Sequence, residues 1–170
     1  ERVFMSYSNQ VKVHCIRPAT VCGLSPRMRL DVAVNLLTFQ AISKEKITVL
    51  GGNQIRPNIH IDDICDIYLH LLKNKNDIDS GYYNAGFENI SIIEIAKKIQ
   101  KLTNCKIEIK ESNDPRSYRQ DSSKIIETGF SPKKTVNHAI KEIVEAYKKN
   151  NLYDAPEWHT VKWMRSKSFA

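Results

Sequence analysis

Short apolar runs of strand character alternate along the chain with stretches in which apolar residues recur every three or four positions. Residues 11–21 open the alternation. There Val11, Val13, Cys15 and Ile16 merge into an apolar run of the kind a strand covered on both faces needs, and Pro18, which cannot donate to a ladder, should end it. Residues 30–43 read as a helix and 46–50 as a short strand. From Ile64, the positions Ile67, Tyr68, Leu71 and Leu72 give an amphipathic helix over 62–73, and 82–86 follow as a strand ending in glycine. Ser91 and Glu94 form a capping box ahead of a helix that runs to about Thr103, and 106–110 alternate as a strand with one wet face. A short helix should begin at Asp121–Ser123 and stop at Gly129, and a last helix covers 135–149, after residues 1–9 that read as the tail of a helix. This alternation predicts an α/β fold with at least partly parallel pairing.

The most informative stretch lies between the second strand and its helix. Gly51 and Gly52 permit positive φ, Arg56 stands in what reads as a loop, and Asp62-Asp63 supplies a helix cap. A guanidinium between a glycine turn and a helix start suits bidentate grip of a phosphate, although a surface arginine on a hairpin fits the same pattern. Asn35 sits alone among Val32, Val34, Leu36 and Leu37. It is either satisfied internally or aimed into a cavity, and the second reading is slightly preferred. The loop 113–119 holds two arginines and an acid, and the loop after Pro18 is a candidate ligand wall, because ligands gather beyond the carboxyl ends of parallel strands.

The net charge of +7 raises the question of nucleic acid. The basic residues are dispersed among acids, however, and no RNA-recognition aromatic motif, zinc finger or arginine-rich arm accompanies them, so solvated helix faces with a bias toward small anions explain the charge better. No apolar run approaches the roughly 18 residues that a membrane span needs, and the first residues lack the layout of a signal peptide. Cys15, Cys22, Cys65 and Cys105 form no Cys-x-x-Cys pair and the five histidines never stand four apart, which points to a reduced, cytoplasmic protein without a metal site. The aromatic tail (Trp158, His159, Trp163, Met164) should pack on the body.

Five motifs follow one another in order: Ile16-Arg17-Pro18-Ala19-Thr20-Val21-Cys22-Gly23, Ser25-Pro26-Arg27-Met28-Arg29-Leu30-Asp31 with Asn35, Arg56-Pro57-Asn58-Ile59-His60-Ile61-Asp62-Asp63, Tyr83-Asn84-Ala85-Gly86, and Asp114-Pro115-Arg116-Ser117-Tyr118 through Asp121-Ser122-Ser123-Lys124. Together they resemble the C-terminal half of an extended short-chain dehydrogenase/reductase of the NAD-dependent nucleotide-sugar epimerase/dehydratase group, typified by UDP-glucose 4-epimerase. Cys22 stands where that family usually has tyrosine. The family's glycine-rich dinucleotide turn is absent, and none of the seven tyrosines has lysine four residues on, so the catalytic Tyr-x-x-x-Lys pair is absent too. The resemblance implies a chain that begins just after that lysine.

What the resemblance implies is specific. Residues 1–23 and 51–87 would supply the last strands of a Rossmann-type parallel sheet. Residues 24–50 and 88–150 would form the small α/β nucleotide-sugar domain, with 151–170 as a tail. Pro18 and Val21 match positions at the nicotinamide end of NAD, with NADP as the alternative. Thr20 and Asn35 match positions reaching the sugar or diphosphate, and Thr48 and Leu50 the strand that meets the base. Arg56 and Arg116 match a diphosphate clamp, and Asp114 a ribose contact. Asp63 is read as capping its helix, with His60 packing near the strand end and Arg17 structural. The parent would be a homodimeric enzyme epimerising a UDP-sugar at C4, with NAD taking and returning the hydride. A 4,6-dehydratase, C4-dehydrogenase or reductase on the same scaffold is the alternative, as is a non-catalytic module binding nucleotide, RNA or protein. These residues alone are not expected to be active.

Overall fold

The structure, a computed structural model, describes residues 1–112 and 116–167. A short helix α1 (Arg2–Met5) leads through turns into β1 (His14–Pro18) and β2 (Thr20–Cys22), then α2 (Ala33–Lys44) and β3 (Lys46–Leu50). Next come β4 (Ile55–His60), α3 (Ile61–Lys73), β5 (Gly81–Ala85), β6 (Glu88–Ser91), α4 (Ile92–Thr103) and β7 (Lys106–Lys110). The chain closes with α5 (Ser123–Glu127), α6 (Val136–Lys148), a single 3₁₀ turn (Pro156–Trp158) and α7 (Thr160–Ser166). The strands pair as β1–β5, β2–β4–β6 and β3–β7; every pair is parallel except β4–β6. This is the α/β architecture that the alternation predicts.

The expected strand over 11–21 is two strands. Pro18 ends β1, Ala19 N–H still reaches the Ala85 carbonyl at 2.8 Å, and the chain then turns to pair Thr20 with Asn58 of β4. Nor is β1 covered on both faces: Arg17 lies at the surface, paired with Glu1 at 2.6 Å and stacked 4.4 Å from the Tyr82 ring. Arg56 is also not in a loop. It belongs to β4 and pairs with Ile90 of β6, a strand absent from the sequence reading. Pro57 is tolerated there because the β2 ladder begins only at Asn58, which leaves no partner on that edge for the missing N–H. Gly51 and Gly52, at φ 73° and 115°, make the turn into β4 as glycines should.

The helix cap differs as well. His60 caps α3, its Nδ1 accepting the Asp62 N–H at 3.1 Å, whereas Asp63 is buried and accepts the Lys133 and Lys134 N–H groups at 2.9 and 3.0 Å. Asp63 is drawn away because burial requires its charge to be matched by donors, and the loop ahead of α6 offers two. The capping box of α4 forms as expected.

Three apolar clusters hold these elements together. The first joins α2, β3, α4 and α6 around Val34, Ile47, Ile99 and Ile140; the second sets Ile59 and Ile67 against β5, Ile125 and Phe130. The third packs Trp158 and Leu152 of the tail against Met28, Leu30 and Ile143. Trp158 thus packs as expected, while Met164 is exposed and Trp163 half-buried beneath the Arg27 guanidinium. Ile140 touches no solvent and sits where three helices meet, so Ile140→Ala should lower stability by about 2–5 kcal/mol in urea titration.

Candidate functional site

A cleft of about 620 Å³ opens where β1 hands over to β2. Its floor is Pro18, Ala19, Thr20 and Val21; Arg29 and Val32 form one wall, Pro57, Tyr118, Arg119 and Gln120 the other. The volume falls within the range of small-molecule sites, and the position, beyond the carboxyl end of a parallel strand, is the expected one. Among the described residues two arginines and no carboxylate line the cleft, so it favours an anion.

Each wall is fixed from behind. Asn35 is buried: its Oδ1 accepts the Gly23 N–H at 3.0 Å and its Nδ2 donates to the Arg29 carbonyl at 3.0 Å. Of the two readings of Asn35, the structure therefore supports the internally satisfied one: it pins both ends of the loop that carries Arg29. Opposite, the segment 116–120 is laced to β4 and β6. Tyr118 N–H donates to the Ile55 carbonyl, Ile55 N–H to Ser117 Oγ, and Gln120 exchanges two hydrogen bonds with Asn89. Gly86, just after β5, lets the chain pass close to the β1–β2 junction, since a Cβ there would lie 2.6 Å from that of Ala19.

Arg56 enters from β4. Its guanidinium donates to the Ile55 carbonyl at 3.0 Å and to the Arg116 carbonyl, and stands 5.4 Å from the ring of Tyr118, a cleft residue. The Arg56 side chain thus lies against the backbone of Arg116 and beside Tyr118 of the cleft wall. Thr48 and Leu50 lie elsewhere, on β3: the Thr48 N–H is bonded to Gln40 Oε1 and the Leu50 carbonyl to Gln54 Nε2. Asp114 lies outside the described residues. Val32, Arg29, Tyr118, Arg119 and Gln120 are cleft residues to which the sequence reading gave no binding role; Arg29 and Arg119 were visible only as basic residues within motifs.

Behind the floor, His60 ties three elements together. Because Nδ1 accepts a backbone N–H, the hydrogen-bond network places the ring proton on Nε2, which donates to Glu142 of α6 at 3.0 Å. Lys134 also pairs with Glu142, at 3.0 Å. His60, Asp62 and Glu142 have the spacing of a metal-ligand trio, yet both imidazole nitrogens are already engaged and the Lys134 ammonium supplies the cation. Cys22 is no nucleophile: burial pushes its thiol up to about 12, and Sγ faces the Ile59 carbonyl.

Comparison with known proteins places this arrangement. The model of the NAD dependent epimerase/dehydratase family matches residues 2–86. The chain belongs to that family. Among curated proteins, GDP-L-fucose synthase 1 of Arabidopsis thaliana is 26% identical over 112 residues, covering 62% of this chain and 34% of that protein. Among solved structures, UDP-glucuronic acid 4-epimerase of Bacillus cereus, in complex with UDP-glucuronic acid and NAD, superposes with a TM-score of 0.72 at 24% identity, over 88% of this chain and 50% of that one. UDP-N-acetylglucosamine 4-epimerase of Bacillus cereus does so with 0.72 at 23% over 93% and 53%, and dTDP-glucose 4,6-dehydratase of Bacillus anthracis with 0.73 at 22% over 95% and 51%. The chain thus spans about a third of the curated relative and about half of the solved structures. At these identities the structures establish the fold: α/β with parallel strand pairs, like the Rossmann-type folds of those epimerases and dehydratases.

Burial raises the Glu142 carboxyl, but the Lys134 hydrogen bond and the His60 contact outweigh it and hold the group below its ordinary 4.5. A carboxyl lowered on folding stabilises the fold fully above its unfolded value and loses that contribution as pH falls through the folded one. Glu142→Gln should therefore flatten the acid-side fall in stability below about pH 5 while lowering stability at neutral pH, read from urea midpoints across pH. Asn35→Ala should cost about 1–3 kcal/mol in the same assay, because the Gly23 N–H and the Arg29 carbonyl both lose a buried partner.

Proposed function

We propose that the chain is the substrate-gripping part of an NAD-dependent nucleotide-sugar epimerase/dehydratase, and that the parent reaction is 4-epimerisation of a UDP-sugar. The observation that carries this reading is the cleft itself: its floor is Pro18, Thr20 and Val21, the positions matched to the cofactor and the sugar, and Arg56 with the 116–120 segment stands at its edge. In this reading residues 1–23 and 51–87 complete a dinucleotide-binding sheet, and 24–50 with 88–150 form the nucleotide-sugar domain.

Pro18 and Val21 give the cofactor side an apolar wall against which a nicotinamide ring could lie, so the residues present fit NAD or NADP on that face. When bound, the cofactor supplies hydride acceptance and return. The chain's own residues do the rest of what falls to it. Arg56 and Arg116 hold the diphosphate, bidentate forks fixing charge and orientation together. Thr20 offers a hydroxyl to the sugar, Asn35 keeps the Arg29 loop in place, and Thr48 and Leu50 present backbone groups of β3 to the base once Gln40 and Gln54 yield them. Asp114 would bond the ribose. Proton transfer needs a Tyr-x-x-x-Lys pair, which these residues do not contain, so these residues alone grip the ligand without turning it over.

The similarity to a 4,6-dehydratase structure and to a GDP-L-fucose synthase keeps the sibling reactions as a second reading, since all would use the same grip. Calorimetric titration of the chain with UDP-glucose tests the shared part. Binding is expected, with Arg56→Ala raising Kd about 10- to 100-fold, equivalent to about 1.5–3 kcal/mol for hydrogen bonds to a charged group, and Arg56→Lys recovering part of it. Equal affinity of wild type and Arg56→Ala would sink the clamp.

A further inference from the structure

A second concave surface adjoins the cleft and is not needed for the grip described above. It measures about 490 Å³ and lies between the loop that follows β2 and the C-terminal helix α7, lined by Arg29, Asp31, His159, Val161, Lys162 and Arg165. Arg29 lines both this depression and the main cleft, so one residue borders both. Three cations therefore border it, one from the first fifth of the sequence and two from its last tenth.

The charges are unevenly matched. Among the described residues Asp31 is the single carboxylate in the lining, and it is already committed, accepting Arg29 Nε–H at 2.9 Å and the Thr160 N–H at 3.1 Å. By those two bonds Asp31 sets the Arg29 head against the first turn of α7. His159 is turned to Asp154 at 2.6 Å. Lys162 and Arg165, one helical turn apart, form no hydrogen bond or ion pair among the described residues. Next to them Trp163 lies between two more cations, Arg27 at 5.8 Å and Lys167 at 6.0 Å. Cations spread over an open helix face are ordinarily just solvated. Here they are gathered around a hollow, and one of them, Arg29, is tied to the half-buried Asp31, which is itself bonded to the α7 backbone.

We propose that this hollow is an oxyanion subsite, built by Arg29, Lys162 and Arg165, for a phosphate or carboxylate group. Arg29 keeps N–H donors beyond the one given to Asp31, and Lys162 and Arg165 supply two further charges, the donor set that charge-assisted binding of a tetrahedral or planar oxyanion uses. Two sources share that chemistry. The oxyanion is either a substituent at the sugar end of the ligand in the main cleft, reached through Arg29, or a separate small anion. Only the first of these rests on the nucleotide-sugar reading above.

Titration with inorganic phosphate, against chloride at matched ionic strength, tests the subsite by ¹H–¹⁵N NMR of the intact chain. Saturable shifts are expected at Arg29 and across 160–166, with the double variant Lys162→Gln/Arg165→Gln at least about 10-fold weaker. Shifts scattered over basic residues without saturation, or unchanged in the double variant, would overturn the subsite. A parallel titration with UDP-glucose and UDP-glucuronate assigns the source. A preference for the acid-bearing sugar that the double variant abolishes supports the substituent; equal binding of the two, with the phosphate response intact, supports a separate anion. If neither nucleotide sugar binds while phosphate still does, the nucleotide-sugar reading has failed and the subsite stands.

Discussion

The buried imidazole of His60 is the contact on which the rest depends. It ends β4, caps α3 through Nδ1 and reaches α6 through Glu142, all while buried from solvent. It also sets the backbone above it: Gly23, at φ 112°, lies so close that a Cβ would stand 3.0 Å from Nε2. A side chain at 23 would meet both a strained φ and an immovable ring. Asp63 reinforces the junction by gripping the 133–134 backbone. The strand, two helices and cleft wall thus share one hydrogen-bonded knot, and the Asn35 bond to Gly23 carries its rigidity out to Arg29.

That knot explains why the cleft sits where it does. β1 must stop at Pro18, β2 must shift to β4, and the gap between the two ladders is filled by neither. The walls are then supplied from distant segments, by the loop before α2 on one side and by 116–120 on the other. Arg29 of one wall is paired with Asp31, but among the described residues no carboxylate lines the cleft itself, so the electrostatic field there favours an anionic ligand. The tail completes the picture by anchoring Leu30 through the Trp158 carbonyl, which holds the Arg29 loop from its far end.

Much of this was legible in the sequence, for local reasons. The capping box at Ser91 and Glu94, the paired positive-φ glycines at 51 and 52 and the strand break at Pro18 each depend on residues within a few positions of one another. Thr20 and Val21 could be placed at a ligand wall because strand ends in parallel sheets have that role, whereas Pro18 was given its place only by the family resemblance. What escaped depends on partners far along the chain. Pro57 and the preceding glycines disguised β4 as a loop, since only the late start of the β2 ladder makes a proline acceptable there. The acidic pair at 62–63 looked like the cap of α3, but Asp63 answers to donors at 133–134, which no local pattern reveals. Asn35 gave two readings because an isolated amide in an apolar helix says nothing about what faces it. Arg29, Arg119 and Gln120 meet only through the tertiary fold.

The central claim is that this cleft holds a nucleotide diphosphate-sugar with its diphosphate at Arg56. A crystal structure of the chain grown with saturating UDP-glucose tests it most directly. The account predicts diphosphate density within hydrogen-bonding distance of the Arg56 guanidinium and next to the 116–120 segment, with the hexose over Thr20. Ordered ligand bound elsewhere, with Arg56 still closed on the Arg116 carbonyl and the cleft filled only by solvent, would contradict it.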